Sequence, residues 1–187
     1  MSVPPLASRA NLRPPPTDPT LDADTEIVYL HPGQLFAAAH RCAITTVLGS
    51  CVSVCLHDAG TGVGGVNHYL HPHAASLVFE PLRFGPSAIH ALIESVVSLG
   101  ARRDRLTARV FGGAHVLKAV SAERWHLGAA NVEVARSVLD AERIPVQAMD
   151  VGGLRGRKLQ FVVRDGTTWV REILRAVDTC LPPRLGA

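Results

Sequence analysis

The chain has 187 residues, 47% hydrophobic and 19% charged, which is enough apolar material for one ordinary domain with a buried core. Nineteen basic against 16 acidic residues leave a net charge of +3, too small to argue for nucleic acid, and the basic cluster Arg102, Arg103, Arg105 is interrupted by Asp104. No apolar run approaches the length of a membrane span, nothing resembles a secretory signal, and four cysteines (Cys42, Cys51, Cys55, Cys180) in a chain this long do not make a disulfide scaffold. The expectation is a cytoplasmic protein with reduced thiols.

Residues 1–24 read as a flexible tail, with Pro4, Pro5, Pro14, Pro15, Pro16 and Pro19 among small and polar residues that bury too little apolar surface to offset their ordering entropy. One domain is expected over residues 25–180, followed by a short tail at 181–187. Within it, residues 26–30 (EIVYL) read as a strand. Residues 52–57 (VSVCLH) alternate sides between Gly49-Ser50 and Asp58-Ala59-Gly60 and predict a second. Residues 61–65 (TGVGG) carry turn chemistry, so residues 66–70 are expected as the return arm of a hairpin.

A helix is predicted over residues 87–99, where Ile89, Leu92, Ile93, Val96 and Val97 fall on one face before Gly100. A strand at 107–111, a helix at 131–141 and a strand at 146–151 follow. The last pair, 159–164 and 168–173, flanks Asp165-Gly166, a hairpin signal. Helices interleaved with many strands predict an α/β class: a layered α/β sandwich with a mixed β-sheet. Three glycine pairs, at 64–65, 112–113 and 152–153, read as tight turns at strand ends and match no phosphate-binding fingerprint.

The chemistry concentrates between Thr45 and His73. Cys51 follows Gly49-Ser50 at the mouth of a strand, and His68 lies just past the glycine-rich turn. A thiol is mostly protonated at neutral pH, and a neighbouring imidazole can take its proton for nucleophilic attack. If the two strands form a hairpin, His68 returns towards the start of the first, where Cys51 sits. Gly49 and Ser50 leave space before the sulfur, and backbone N–H groups there, with Asn67 nearby, are candidates for an oxyanion and substrate pocket. Cys55, in mid-strand, reads as a small buried hydrophobe. A metal site from Cys51, Cys55, His57, His68, His71 and His73 is disfavoured. The two cysteines, four apart on a strand rising about 3.3 Å per residue, stand over about 10 Å from each other. No cofactor and no metal are assigned.

The motif LGSCVSVCLHD at 48–58, followed by GGVNHYLHP at 64–72, resembles the signature of the CheD family, the chemoreceptor glutamine deamidases. The likeness continues through residues 84–117 and 126–173, and covers roughly residues 26 to 174. It departs at Ala130, where the family often has arginine before the asparagine, and at His115, where another polar residue is common.

The resemblance implies a cysteine hydrolase in an α/β sandwich, with Cys51 as nucleophile, His68 as general base and Thr45 as a hydroxyl that steadies the imidazole. The residues alone do not separate Thr45 from Thr46. It further implies hydrolysis of glutamine side-chain amides in the cytoplasmic helices of chemoreceptors, and a CheC-type phosphatase as a partner. Two other readings stay open at this level. A cysteine protease or transglutaminase would share the acyl chemistry. A non-catalytic regulatory module for a chemotaxis phosphatase or receptor would not need Cys51. Which glutamines are modified, and whether methyl esters are hydrolysed too, is not written in the sequence.

Overall fold

The computed structural model describes residues 21, 24–73, 80–115 and 127–173. Most of the expected N-terminal tail, all of the expected C-terminal tail and Cys180 lie outside these residues. Among the described residues, nine strands form two mixed sheets. The first has the order β1 (Glu26–Tyr29), β3 (Cys42–Leu48), β8 (Arg157–Val162), β9 (Thr168–Glu172), with only β1 and β3 parallel. The second has the order β2 (Gln34–Ala38), β5 (Val63–His68), β4 (Val52–Asp58), β6 (Thr107–Gly112), β7 (Val146–Val151), with only β6 and β7 parallel.

Helices α1 (Gly85–Ser98) and α2 (Leu127–Ala141) cover the outer face of the five-stranded sheet. Three layers result, with two cores. Val52, Val54 and Leu56 of β4 pack with Ile89, Leu92 and Val96 of α1 and Leu139 of α2. Between the sheets, Cys55, Val66 and Phe111 meet Ile44, Leu48, Leu159 and Phe161. This explains why every residue of β4 is buried. Alternate side chains point to opposite faces, and both faces are covered. Each fully buried Leu or Ile contributes on the order of 2 kcal/mol.

The layered α/β sandwich expected from the sequence is present, with two mixed sheets. β2 and β3 are additional to the predicted strands. Both are short or continuously buried runs without clean alternation, which periodicity does not mark. The β4–β5 turn falls earlier than predicted, closing at Gly62 (φ +70°), where the Gly62 N–H donates to the Asp58 carbonyl at 2.9 Å. Gly64 and Gly65 therefore lie inside β5. A Cβ on Gly64 would stand 3.1 Å from the Phe161 ring, and one on Gly65 2.9 Å from Leu92 Cδ1. These two glycines serve close packing of the layers on β5 rather than a turn. The 112–113 and 152–153 pairs do have positive φ, as predicted. Among the described residues no helix is long and apolar enough to cross a membrane.

Candidate active site

The chain changes sheets at Gly49-Ser50-Cys51, leaving β3 of one sheet and entering β4 of the other. A crossing of this kind leaves backbone groups without ladder partners. Here the carbonyls are taken from below. Ala114 N–H donates to the Gly49 carbonyl at 2.7 Å, Gly113 N–H to the Cys51 carbonyl at 2.8 Å, and Asn131 Nδ2 to the Ser50 carbonyl at 3.0 Å. The approach of β6 to Cys51 requires Gly112 (φ +110°), because a Cβ there would collide with the Cys51 carbonyl oxygen. The turn is thereby held with its carbonyls inward, and Cys51 is half-buried at the mouth of the inter-sheet layer.

His68 ends β5. The antiparallel register of β4 and β5, fixed by Cys55 opposite Val66 and by the Val52–Tyr69 bridge, sets Ser53 opposite His68. Cys51 and His68 both lie on the inter-sheet side, to either side of the Val52–Tyr69 bridge. The predicted hairpin thus sets both residues on the inter-sheet side of the strand pair, with no hydrogen bond between them.

The third member comes from the other sheet. Thr46 Oγ1 lies 2.8 Å from His68 Nδ1 and donates to the Leu30 carbonyl at 2.9 Å. A threonine hydroxyl has one hydrogen. With that hydrogen on Leu30, the hydroxyl must accept from Nδ1–H. The proton therefore sits on Nδ1, and Nε2 carries the lone pair. Nε2 is buried and has no hydrogen-bond partner among the described residues. The imidazole is held in the tautomer that a general base needs.

Thr45 is not brought to His68. Its hydroxyl donates to the Leu159 carbonyl at 2.9 Å, on β8. Successive residues of β3 face opposite ways, and it is Thr46, with Ile44 and Leu48, that faces the other sheet. Thr46, and not Thr45 as expected, is the hydroxyl that lies beside the imidazole. Asn67 is also displaced from the pocket role. It is fully buried, and its Oδ1 accepts from the Val54 N–H at 2.8 Å, in place of a ladder bond. Its carboxamide fixes the strand pair beside Ser53 and His68.

Burial dominates the electrostatics. It holds the His68 imidazole down at about 4, against the opposing effect of the Leu30 carbonyl, with the His31 ring also lowering it. Burial raises the Cys51 thiol, opposed by its own backbone N–H and then by the Arg83 guanidinium. At neutral pH the resting site holds a thiol and a neutral imidazole, not an ion pair. The Cys51 N–H lies beside its own sulfur, where an oxyanion on a carbon bonded to that sulfur would develop.

Cys55 is fully buried in the inter-sheet core, and His57 packs edge-on against Phe161 with its Nε2 at 3.4 Å from the Arg164 carbonyl. A groove of about 690 Å³ between α2 and β7, lined by Glu133, Arg136 and Met149 among others, shares no residue with the Cys51 site.

Residues 72–172 match the model of the family described as CheD chemotactic sensory transduction. The chain belongs to the CheD family. It is 53% identical over 146 residues to a protein of Anaeromyxobacter dehalogenans named "Probable chemoreceptor glutamine deamidase CheD 1", covering 78% of this chain and 84% of that one. It is 41% identical over 150 residues to a Shewanella oneidensis protein of the same name, covering 78% and 72% of the two chains. A Trichlorobacter lovleyi protein named "Probable chemoreceptor glutamine deamidase CheD" is 44% identical over 131 residues, covering 70% and 81%. The family-model match begins beyond His68. The likeness to the Anaeromyxobacter protein takes in Cys51 and His68, because a 146-residue stretch of a 187-residue chain begins no later than residue 42.

Two residues of this CheD chain stand at the site without having been picked out from the sequence. Asn131 is 81 positions from Ser50, and only its place beside Ala130 in the family pattern drew notice. Ser53 faces His68 across the strand pair, and its buried hydroxyl has no partner among the described residues. Its signal was the i+2 alternation from Cys51.

Proposed function

We propose that this protein is a chemoreceptor glutamine deamidase that works through a Cys51 thioester. The observation that carries the mechanism is the Thr46–His68 hydrogen bond. With the Thr46 proton on Leu30, Nε2 is the basic nitrogen, on the same sheet face as Cys51. The names of the relatives supply the substrate class.

In the first step His68 Nε2 takes the Cys51 thiol proton as sulfur attacks the δ-carbon of a receptor glutamine. The C–S bond forms, and the carbonyl π electrons move to oxygen. The Cys51 N–H stabilises the oxyanion, with Ser50 N–H as the adjacent donor. His68 then gives its proton to the amide nitrogen, since an unprotonated amide is a very poor leaving group, and ammonia departs. In the second half Nε2 takes a proton from water, hydroxide adds to the thioester, and collapse expels the sulfur, which recovers the proton. The product is glutamate. Gly49 and Ser50 line the approach to the sulfur. No cofactor or metal enters any step.

Residues 25–180 act as one catalytic domain in this reading, and a substrate in the receptor's cytoplasmic helices implies action in the cytoplasm. A CheC-type phosphatase is the second partner, supported by the family resemblance alone. The test is mass spectrometry of a glutamine-containing chemoreceptor cytoplasmic fragment incubated with wild-type protein and with Cys51→Ala. Wild type adds about one dalton per modified site and releases ammonia, while Cys51→Ala does neither. A new N-terminus would indicate proteolysis. Tight binding with no mass change, unaffected by the mutation, would leave the regulatory-module reading in its place.

A further inference from the structure

We infer that Asn131 is the positioning residue that sets the separation of Cys51 and His68. The inference rests on the Cys–His reading above and adds to it a residue from a third element, helix α2. Asn131 Nδ2 donates both of its hydrogens, one to the Ser50 carbonyl at 3.0 Å and one to the Leu70 carbonyl at 2.9 Å. Both acceptors are carbonyl oxygens, so the amide nitrogen, not the oxygen, faces them. Ser50 immediately precedes the nucleophile, and Leu70 follows the base by two residues.

The place of this clamp in the sheet gives it its consequence. The β4–β5 ladder makes its last paired bonds at Val52 and Tyr69, at 3.1 and 3.0 Å. Beyond that bridge the two segments part. Leu70 and His71 donate instead to the Arg83 carbonyl, and the 49–51 turn is held by Gly113 and Ala114. Asn131 spans the gap at the point where backbone pairing stops. Its own carbonyl receives the Tyr69 hydroxyl at 2.6 Å, which ties the same helix turn to the residue next to His68.

Asn131 is fully buried, and its Oδ1 has no hydrogen-bond partner among the described residues. That orphaned oxygen costs stability. The amide thus spends stability on one geometric relation. A misplacement of about 1 Å between reacting groups can lower a rate by about a hundredfold.

The test compares Asn131→Ala and Asn131→Ser with Val134→Ala, a cavity-forming change on the same helix that leaves the clamp in place. Ammonia release from a chemoreceptor cytoplasmic fragment and thermal unfolding are measured on each full-length chain. Asn131→Ala is expected to lower kcat about a hundredfold with KM within about threefold, because Asn131 does not reach the substrate. Asn131→Ser, able to keep one of the two bonds, falls between. Val134→Ala lowers the Tm but keeps kcat. The inference is overturned if Asn131→Ala keeps kcat within about threefold, or if Val134→Ala loses kcat to the same degree. Should Asn131→Ala not fold, Asn131→Ser is judged by the same criterion, full retention of kcat counting against the clamp.

A second readout needs no receptor. Alkylation of Cys51 by iodoacetamide is slowed by His68→Ala where Nε2 accepts the thiol proton. In the Asn131→Ser background, His68→Ala should slow it much less. If the wild type releases no ammonia from any fragment, the deamidase reading fails, and this double-mutant comparison still decides whether Asn131 couples the two residues.

Discussion

Thr46 and His68 belong to different sheets, and the 2.8 Å hydrogen bond between them makes the imidazole of one sheet depend on a hydroxyl of the other. The inter-sheet layer is therefore a polar contact as well as a hydrophobic one. Any motion that separates β3 from β5 would free Nδ1 and blur which nitrogen of His68 is the base.

The two adjacent threonines should part in their effects. Thr46→Val removes the acceptor of Nδ1–H, and kcat for ammonia release should fall by tenfold or more, about 1.4 kcal/mol or more in the barrier. Thr45→Val removes only the bond to Leu159, so it should cost about 1 kcal/mol of stability and leave kcat nearly unchanged. Steady-state kinetics with denaturant titration on both variants check this. Equal losses of kcat would mean that the side chain of Thr46 is not the one that orients His68.

The pH dependence follows from the burial of His68. Its folded-state pKa of about 4 lies below the ordinary value of 6.5, so between those values the unfolded chain binds a proton that the folded chain does not. Stability is then fully present above pH 6.5 and is lost as pH falls towards 4, by up to about 3 kcal/mol. His68→Gln should show that much less acid sensitivity in denaturant titrations. In kinetics, the acid limb of kcat/KM in the wild type should fall well below the limb near 6.5 expected of a solvated histidine. A limb at 6.5 with unchanged stability would contradict the buried, neutral imidazole.

Cys51 should rest as a thiol. Burial raises its pKa, and the neighbouring Arg83 charge and its own N–H offset this only in part. Far-ultraviolet difference absorbance between wild type and Cys51→Ala should show no thiolate band at neutral pH, the band appearing only under alkaline conditions. A thiolate already formed at pH 7 would replace general-base attack with a resting ion pair.

Gly112 should be among the least replaceable residues near the site. Its positive φ and the contact a Cβ would make with the Cys51 carbonyl oxygen leave no room for alanine. Gly112→Ala should lower the Tm and, in whatever fraction stays folded, kcat as well, since the clash falls on the nucleophile's own peptide. Gly152→Ala carries the same positive-φ strain with nothing near the added Cβ. It should cost stability of about 1 kcal/mol and leave kcat alone.

The alternation of residues 52–57, the helical spacing at 89–96 and the Asp165-Gly166 turn are local signals, and each stands as an element in the fold because short-range sterics and burial agree there. The placing of Cys51 and His68 on the two arms of one hairpin is local too. A hairpin is a local structure, and its register follows from strand alternation. What the tertiary structure decided is what comes from far along the chain or from the second sheet. Thr45 and Thr46 are equally buried and adjacent, so only the register of β3 against β8 and its facing of β5 assigns the hydroxyls, one to Leu159 and the other to His68. Gly64 and Gly65 have the composition of a turn, and only the approach of Phe161 and Leu92 gives them their place within β5. Asn131 carries no local mark of its task. Its amide meets Ser50 and Leu70 because α2 packs over the end of β4, through Ala135 and Leu139 in the core rather than through anything in the residues it holds. Periodicity reports which face of an element is buried, and only packing reports what that face meets.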